Sequence, residues 1–178
     1  LSLIPDWTVF GNQVEAYLGM SVGTAGDVNG DDLSDIIVGV RRYVNGEASE
    51  GAAFVYYGSA TEMSTTPDWI AEGNQIGAYF GYSVGTAGDV NGDGLSDVII
   101  GSPFYDNGEN EEGAAFVYLG SASGMSTTPD WLAEGNQIGA NFGRCVSTAG
   151  DVNGDGYSDV ITGSPHYDNG ESEEGAAF

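Results

Sequence analysis

Asp89-Val90-Asn91-Gly92-Asp93-Gly94-Leu95-Ser96-Asp97 runs straight into Val98-Ile99-Ile100-Gly101. The nine-residue stretch puts side-chain oxygens at 89, 91 and 93 and another at 97. A tight glycine-containing turn brings alternate residues to one side, which is what a hard, oxygen-seeking cation such as Ca²⁺ requires. The β-branched run that follows reads as a buried strand. Asp-x-Asn-Gly-Asp-x-x-Ser-Asp occurs again from Asp27 and from Asp151, 62 positions away on either side. Three in-register copies make a merely polar turn the weaker reading and predict about one Ca²⁺ per repeat.

The candidate ligands are the side chains of Asp27, Asn29, Asp31 and Asp35, of Asp89, Asn91, Asp93 and Asp97, and of Asp151, Asn153, Asp155 and Asp159. The backbone carbonyls of Leu33, Leu95 and Tyr157 complete the three sets. An EF-hand loop closes with a bidentate Glu at its twelfth position, where Ile100 stands here, so Asp97 takes that part and the flanks are strands. Three carboxylates roughly 5 Å apart repel by about 3 kcal/mol per pair at an effective dielectric near 20, and a divalent ion reverses that sign. The first copy has Asp32 where Gly94 and Gly156 sit. Asp tolerates positive φ better than most residues, so this loop should form with slight distortion and more negative charge.

Superposing 63–116 on 125–178 pairs 54 positions, of which nine differ; 1–54 matches more loosely. Each unit reads as four short strands: Phe80–Gly85, Ser96–Gly101, Gly113–Gly120 and a weaker one around Trp131-Leu132-Ala133. No segment carries a sustained 3.6-residue apolar rhythm, so helix content should be low. The expected fold class is all-β, with four-stranded antiparallel sheets repeated as β-propeller blades. The approximate units are 1–62, 63–124 and 125–178. A propeller needs about four to eight blades to close. Because the chain opens near a fourth strand, around Trp7, and stops within a third, it is expected to be part of a longer array truncated at both ends. Assembly of two copies into a six-bladed ring is the less favoured alternative.

Composition bounds the partners. The 27 acidic residues face only Arg41, Arg42 and Arg144, for a net charge of −24. That imbalance excludes nucleic acid as a ligand and argues against docking on anionic membrane surfaces. No apolar run approaches the roughly 18 residues of a membrane span. A single Cys145 precludes an internal disulfide, so compartment is inferred from the cation: such loops fill where free Ca²⁺ is millimolar, in an extracellular, cell-surface or periplasmic setting.

Phe80-Gly81, the loop Gly88–Asp97, Gly101-Ser102-Pro103 and Gly113-Ala114-Ala115-Phe116-Val117-Tyr118 together resemble the FG-GAP repeat of integrin α-subunit propellers and many bacterial surface proteins. The third unit matches through Phe142-Gly143 and Gly163-Ser164-Pro165; the first departs, with Leu18-Gly19 and Gly39-Val40-Arg41 in those places. The resemblance implies a fragment of a seven-bladed propeller with Ca²⁺ loops on one face and partner binding on the other. It also implies a role in adhesion or scaffolding, with a protein or carbohydrate ligand at the cell surface. The acidic loop 105–112 would lie opposite the ions, where a solvated surface role outweighs a binding one.

Catalysis is not expected. His166 is the single histidine, and its slot holds Phe104 and Arg42 in the sister units. Cys145 pairs with Ser83 and Ser21 and has no base near it in sequence. Trp7, Trp69 and Trp131, each after Pro-Asp, fit packing between blades better than sugar stacking. The alternative keeps the segment non-catalytic and places it in a secreted hydrolase or lyase whose catalytic domain lies elsewhere.

Overall fold

The apolar run after each acidic loop becomes the second strand of an antiparallel sheet. The computed structural model describes residues 5–178; the first four residues of the unit 1–62 lie outside the described residues. The first sheet joins β1 (Leu18–Gly26), β2 (Asp35–Val40), β3 (Ala52–Tyr56) and β4 (Trp69–Glu72), in that order. The second joins β5 (Ser83–Gly88), β6 (Asp97–Ser102), β7 (Ala114–Tyr118) and β8 (Trp131–Glu134). The third joins β9 (Cys145–Gly150), β10 (Asp159–Ser164) and β11 (Ala176–Ala177). Every pairing is antiparallel between chain neighbours, and no helix occurs among the described residues. This is the all-β blade architecture that the repeat requires.

Period-two alternation assigns each strand's side chains to two different seams. All six residues of β6 are buried. Val98 and Ile100 join a core that also takes Ile37, Val55 and Trp69 from the first sheet, while Ile99 faces Phe142, Val146 and Val160 of the third. A blade buried on both faces explains why the run Val98–Ile100 lacks polar alternation. The innermost strands β1, β5 and β9 lie side by side in succession, as expected of blades around an axis.

Two strand assignments change. Phe80-Gly81 precedes β5 and is not part of it, because Tyr79 and Gly81 take φ of 55° and 77° and turn the chain. Phe80 instead forms an isolated parallel bridge to Gly51 across the seam, and Phe142 does the same with Gly113. A Cβ on Gly51 would lie 2.1 Å from the Phe80 carbonyl oxygen, so only glycine permits that approach. No strand forms around Trp7, since no described strand precedes it to supply a ladder.

Trp7 nonetheless fills the slot that Trp69 fills one unit later. The Trp7 ring meets Tyr56 edge-on at 5.0 Å, and Trp69 meets Tyr118 at 5.0 Å. Their indole N–H groups donate to the carbonyls of Ser64 and Ser126 at 2.8 and 2.9 Å. Trp131, with no such partner among the described residues, stays 43% exposed.

Candidate metal centre

Each acidic loop connects the innermost strand to the second strand of its sheet, and its shape comes from side chains bonding to their own backbone. Asp89 Oδ1 accepts the N–H groups of Gly92 (2.6 Å) and Asp93 (3.2 Å), while Oδ2 accepts that of Gly94 (2.8 Å). Asn91 Oδ1 accepts the Asp93 N–H at 2.8 Å, and Asp93 Oδ1 accepts the Leu95 N–H at 2.9 Å. Asp27, Asn29 and Asp31 repeat this set on Gly30, Asp31, Asp32 and Leu33. Asp151, Asn153 and Asp155 repeat it on Gly154, Asp155, Gly156 and Tyr157. Nested bonds of this kind explain why Asp and Asn occupy alternate positions and why residues with positive φ lie between them.

The last Asp of the loop behaves differently. Asp97 is fully buried: Oδ2 accepts the Val90 N–H and Oδ1 the Gly120 N–H, at 2.8 and 2.9 Å. Asp35 does the same with Val28 and Gly58, both at 2.8 Å. Burial pushes both carboxyls above the ordinary value, against the pull of those N–H donors, and the nearby loop aspartates push the same way.

The donors suit a hard divalent cation in kind: every side-chain group is a carboxylate or amide oxygen, with no sulfur or imidazole. An ionised carboxylate offers about four lone-pair positions, so Asp89 with three N–H donors still has capacity. Among the described residues no three carboxylate, imidazole or thiolate groups converge as a ready-made metal cluster. Each loop brings together instead a mixed set, in which Asn and a main-chain carbonyl would supplement the carboxylates.

The loops also form the seam between blades. The Asp27 carbonyl accepts the Ser96 N–H, and the Asp89 carbonyl accepts the Ser158 N–H, both at 2.8 Å. Leu95 packs beside Gly30, and the Tyr157 ring lies against Gly92. The position preceding each of these two Asp residues must be glycine, because a Cβ on Gly26 or Gly88 would strike the Ser96 or Ser158 hydroxyl.

Three sheets on one repeat, each opening on an acidic loop, with a Phe-to-Gly bridge across each seam, define a family. The FG-GAP repeat model matches residues 18–56, 80–118 and 142–178. The chain belongs to the FG-GAP repeat family. It is 38% identical over 159 residues to integrin alpha-PS2 of Drosophila melanogaster, covering 85% of this chain and 11% of that relative. It is 33% identical over 169 residues to integrin alpha-5 of Xenopus laevis, covering 92% and 15%. With human integrin alpha-8 the identity is 32% over 156 residues, covering 85% and 14%. The chain thus spans only a small fraction of the length of these relatives.

Two buried carboxylates escape a reading of the sequence alone. Glu50 and Glu112, at the same slot of the FG-GAP units, are 0% and 1% exposed. Glu112 ties its loop together by accepting the N–H groups of Asn107 (2.7 Å) and Asn136 (3.1 Å), so the loop 105–112 is not simply a solvated acidic turn. The signal that could have found them is the recurrence of Glu at 50, 112 and 174. The serine of the Gly-Ser-Pro segment is equally specific in its contacts. Ser102 and Ser164 are buried and donate to the carbonyls of Ala78 and Ala140 at 2.8 Å. His166 Nδ1 lies 4.0 Å from Glu173, and Cys145 is exposed at the start of β9.

Proposed function

We propose that this chain is a calcium-rigidified propeller segment of an extracellular or cell-surface protein, acting in adhesion or ligand binding and not in catalysis. The observation that carries the reading is the thrice-built oxygen loop, of which the first two copies are bonded to the following blade. Ca²⁺ would be held by Asp27, Asn29, Asp31, the Leu33 carbonyl and Asp35, and by the matching residues 89–97 and 151–159. The ion would supply the positive charge that offsets the repulsion within each loop. Because the carbonyls of Asp27 and Asp89 are also bonded to the following blade, a filled loop stiffens two blades at once. Similarity to integrin alpha chains supports a cell-surface setting and a protein or carbohydrate ligand. Calorimetric titration of the full-length protein with Ca²⁺, paired with melting in chelator, tests this. Saturable binding with a melting temperature that falls on chelation is expected; no heat and an unchanged melt would overturn it.

A further inference from the structure

All three cationic side chains of this chain meet in one place, although the repeat gives none of them a fixed slot. The Arg41 guanidinium lies 4.7 Å from the Tyr17 ring centroid and 5.9 Å from that of Tyr82. Arg42 lies 5.8 Å from Tyr17, and Arg144 lies 5.3 Å from Tyr82. The resulting ladder, Arg42–Tyr17–Arg41–Tyr82–Arg144, crosses the starts of the inner strands β1, β5 and β9, at the end opposite the acidic loops. Each arginine stands where the repeat is broken. Arg41 replaces Pro103 and Pro165, Arg42 replaces Phe104 and His166, and Arg144 replaces Tyr82 and Met20. Departures in two different units therefore converge on one surface.

Their charges are left largely unanswered. Arg42 approaches Glu15 at 3.9 Å, but among the described residues neither Arg41 nor Arg144 has a carboxylate partner, in a chain with 27 acidic residues. The Arg41 Nε is buried without an acceptor. The tyrosine rings lie within cation–π distance of the partly buried guanidinium groups and offer them no hydrogen-bond acceptor at their faces. Beside the ladder, Tyr82, Arg144 and Cys145 line a cleft with Glu174, whose Oε2 is turned to the Glu171 N–H at 3.3 Å.

We propose that this arginine–tyrosine ladder is the recognition site for a carboxylate-bearing peptide segment of a partner. The inference rests on the ligand-binding reading above and supplies its face and ligand class. A guanidinium fork matches a planar carboxylate in two parallel hydrogen bonds, and the half-exposed tyrosines offer aromatic surface to the residues flanking it. The net charge of −24 selects against polyanions, whose further charges the rest of the surface repels. A ligand with one or two carboxylates gains the short-range contact while screening weakens the remainder.

The test titrates ¹⁵N-labelled full-length protein, in millimolar calcium, with a short peptide carrying one Asp between aromatic residues, and with its Asn counterpart. Shifts of the Arg41 and Arg144 guanidinium resonances with the Asp peptide alone are expected. Arg41→Gln and Arg144→Gln should each weaken binding about tenfold, and Arg41→Lys, which keeps charge but loses the fork, should weaken it too. Equal shifts with both peptides, none with either, or stronger shifts with a heparin fragment or anionic vesicles would overturn the proposal. Calcium affinity measured on the same samples separates the two readings. Intact calcium binding without peptide shifts sinks only this inference, whereas lost calcium binding in the wild type sinks the underlying one.

Discussion

Phe116 and Phe178 hold the same slot of successive FG-GAP units, yet Phe116 is 8% exposed and Phe178 is 53% exposed. Phe116 is enclosed by Phe80 at 5.2 Å and Tyr105 at 5.5 Å, with β8 paired along its strand. Phe178 has matching rings in Phe142 and Tyr167, at 5.4 and 5.2 Å, but no described strand on its outer side. Within the segment 1–178, identical residues thus differ in what they stabilise according to how many described strands surround them. Stability in such an array belongs to seams more than to individual repeats.

The largest expected effect follows from that difference. In the segment 1–178 taken by itself, Phe116→Ala should cost about 3–5 kcal/mol, the usual range for emptying an aromatic site in a packed core, whereas Phe178→Ala should cost less than about 1 kcal/mol. Urea unfolding of the two variants in the same buffer measures both. Equal losses would mean that the third sheet is as well enclosed as the second.

Tyr118 sharpens the comparison through its hydroxyl. Enclosed between blades against Trp69 and only 4% exposed, it has its pKa pushed up to about 12, by burial first and by Asp130 second. The folded state keeps the phenol proton that the unfolded chain releases near pH 10, so stability is full below pH 10 and declines as pH climbs toward 12. Two pH units correspond to about 2.7 kcal/mol. Chemical unfolding across that window should show the decline, and Tyr118→Phe should flatten part of it. Tyr43, Tyr56, Tyr57 and Tyr105, also raised by burial, supply the remainder. A variant that keeps the whole slope would place the titration outside the blade seam.

The acidic loops repeat the lesson at smaller scale. Asp97 bonds the N–H groups of Val90 and Gly120, while Asp159 bonds that of Val152 at 2.9 Å and otherwise only the Asn153 amide at 3.4 Å. In the segment 1–178 with calcium chelated, Asp97→Ala orphans two buried donors and relieves one buried charge, for a net loss of about 2 kcal/mol; Asp159→Ala should lose about half that. Thermal unfolding in chelator compares them directly. A reversed order would show that relief of the buried charge outweighs the lost hydrogen bonds at position 97.

The all-β class, the strand following each acidic loop and the tight turn of the loop itself are legible in the sequence because they depend on local spacing: alternate oxygens, positive-φ positions and a β-branched run. The Phe80-Gly81 bridge reads as strand because its partner, Gly51, is remote in sequence and the pairing is set by blade packing. Glu112 reads as surface because acidity ordinarily predicts exposure, and only the fold reveals that backbone N–H groups surround it. The first unit's departures at Val40 and Arg41 read as decay, since the ladder that Arg41 joins requires Arg144 and Tyr82 from two other units.

Asp32 offers the smallest and most discriminating comparison, between the first loop and the second. Its φ of 66° lies in the region that Gly94 occupies at 88°. Asp32→Gly removes that backbone strain but adds freedom to the unfolded chain, so stability should change by less than about 0.5 kcal/mol. The Asp32 N–H that Asp27 Oδ2 accepts at 2.8 Å is main-chain and survives the change. What disappears is one exposed carboxylate close to the ion loop. Screened by salt, that charge is worth about a two-fold gain in calcium affinity at 0.1 M ionic strength and more at lower salt. Calorimetric titration of Asp32→Gly should therefore show a weakened first site with an unchanged melting temperature in chelator. A lowered chelator melt would instead assign Asp32 to the loop's architecture, and the two loops would differ in more than charge.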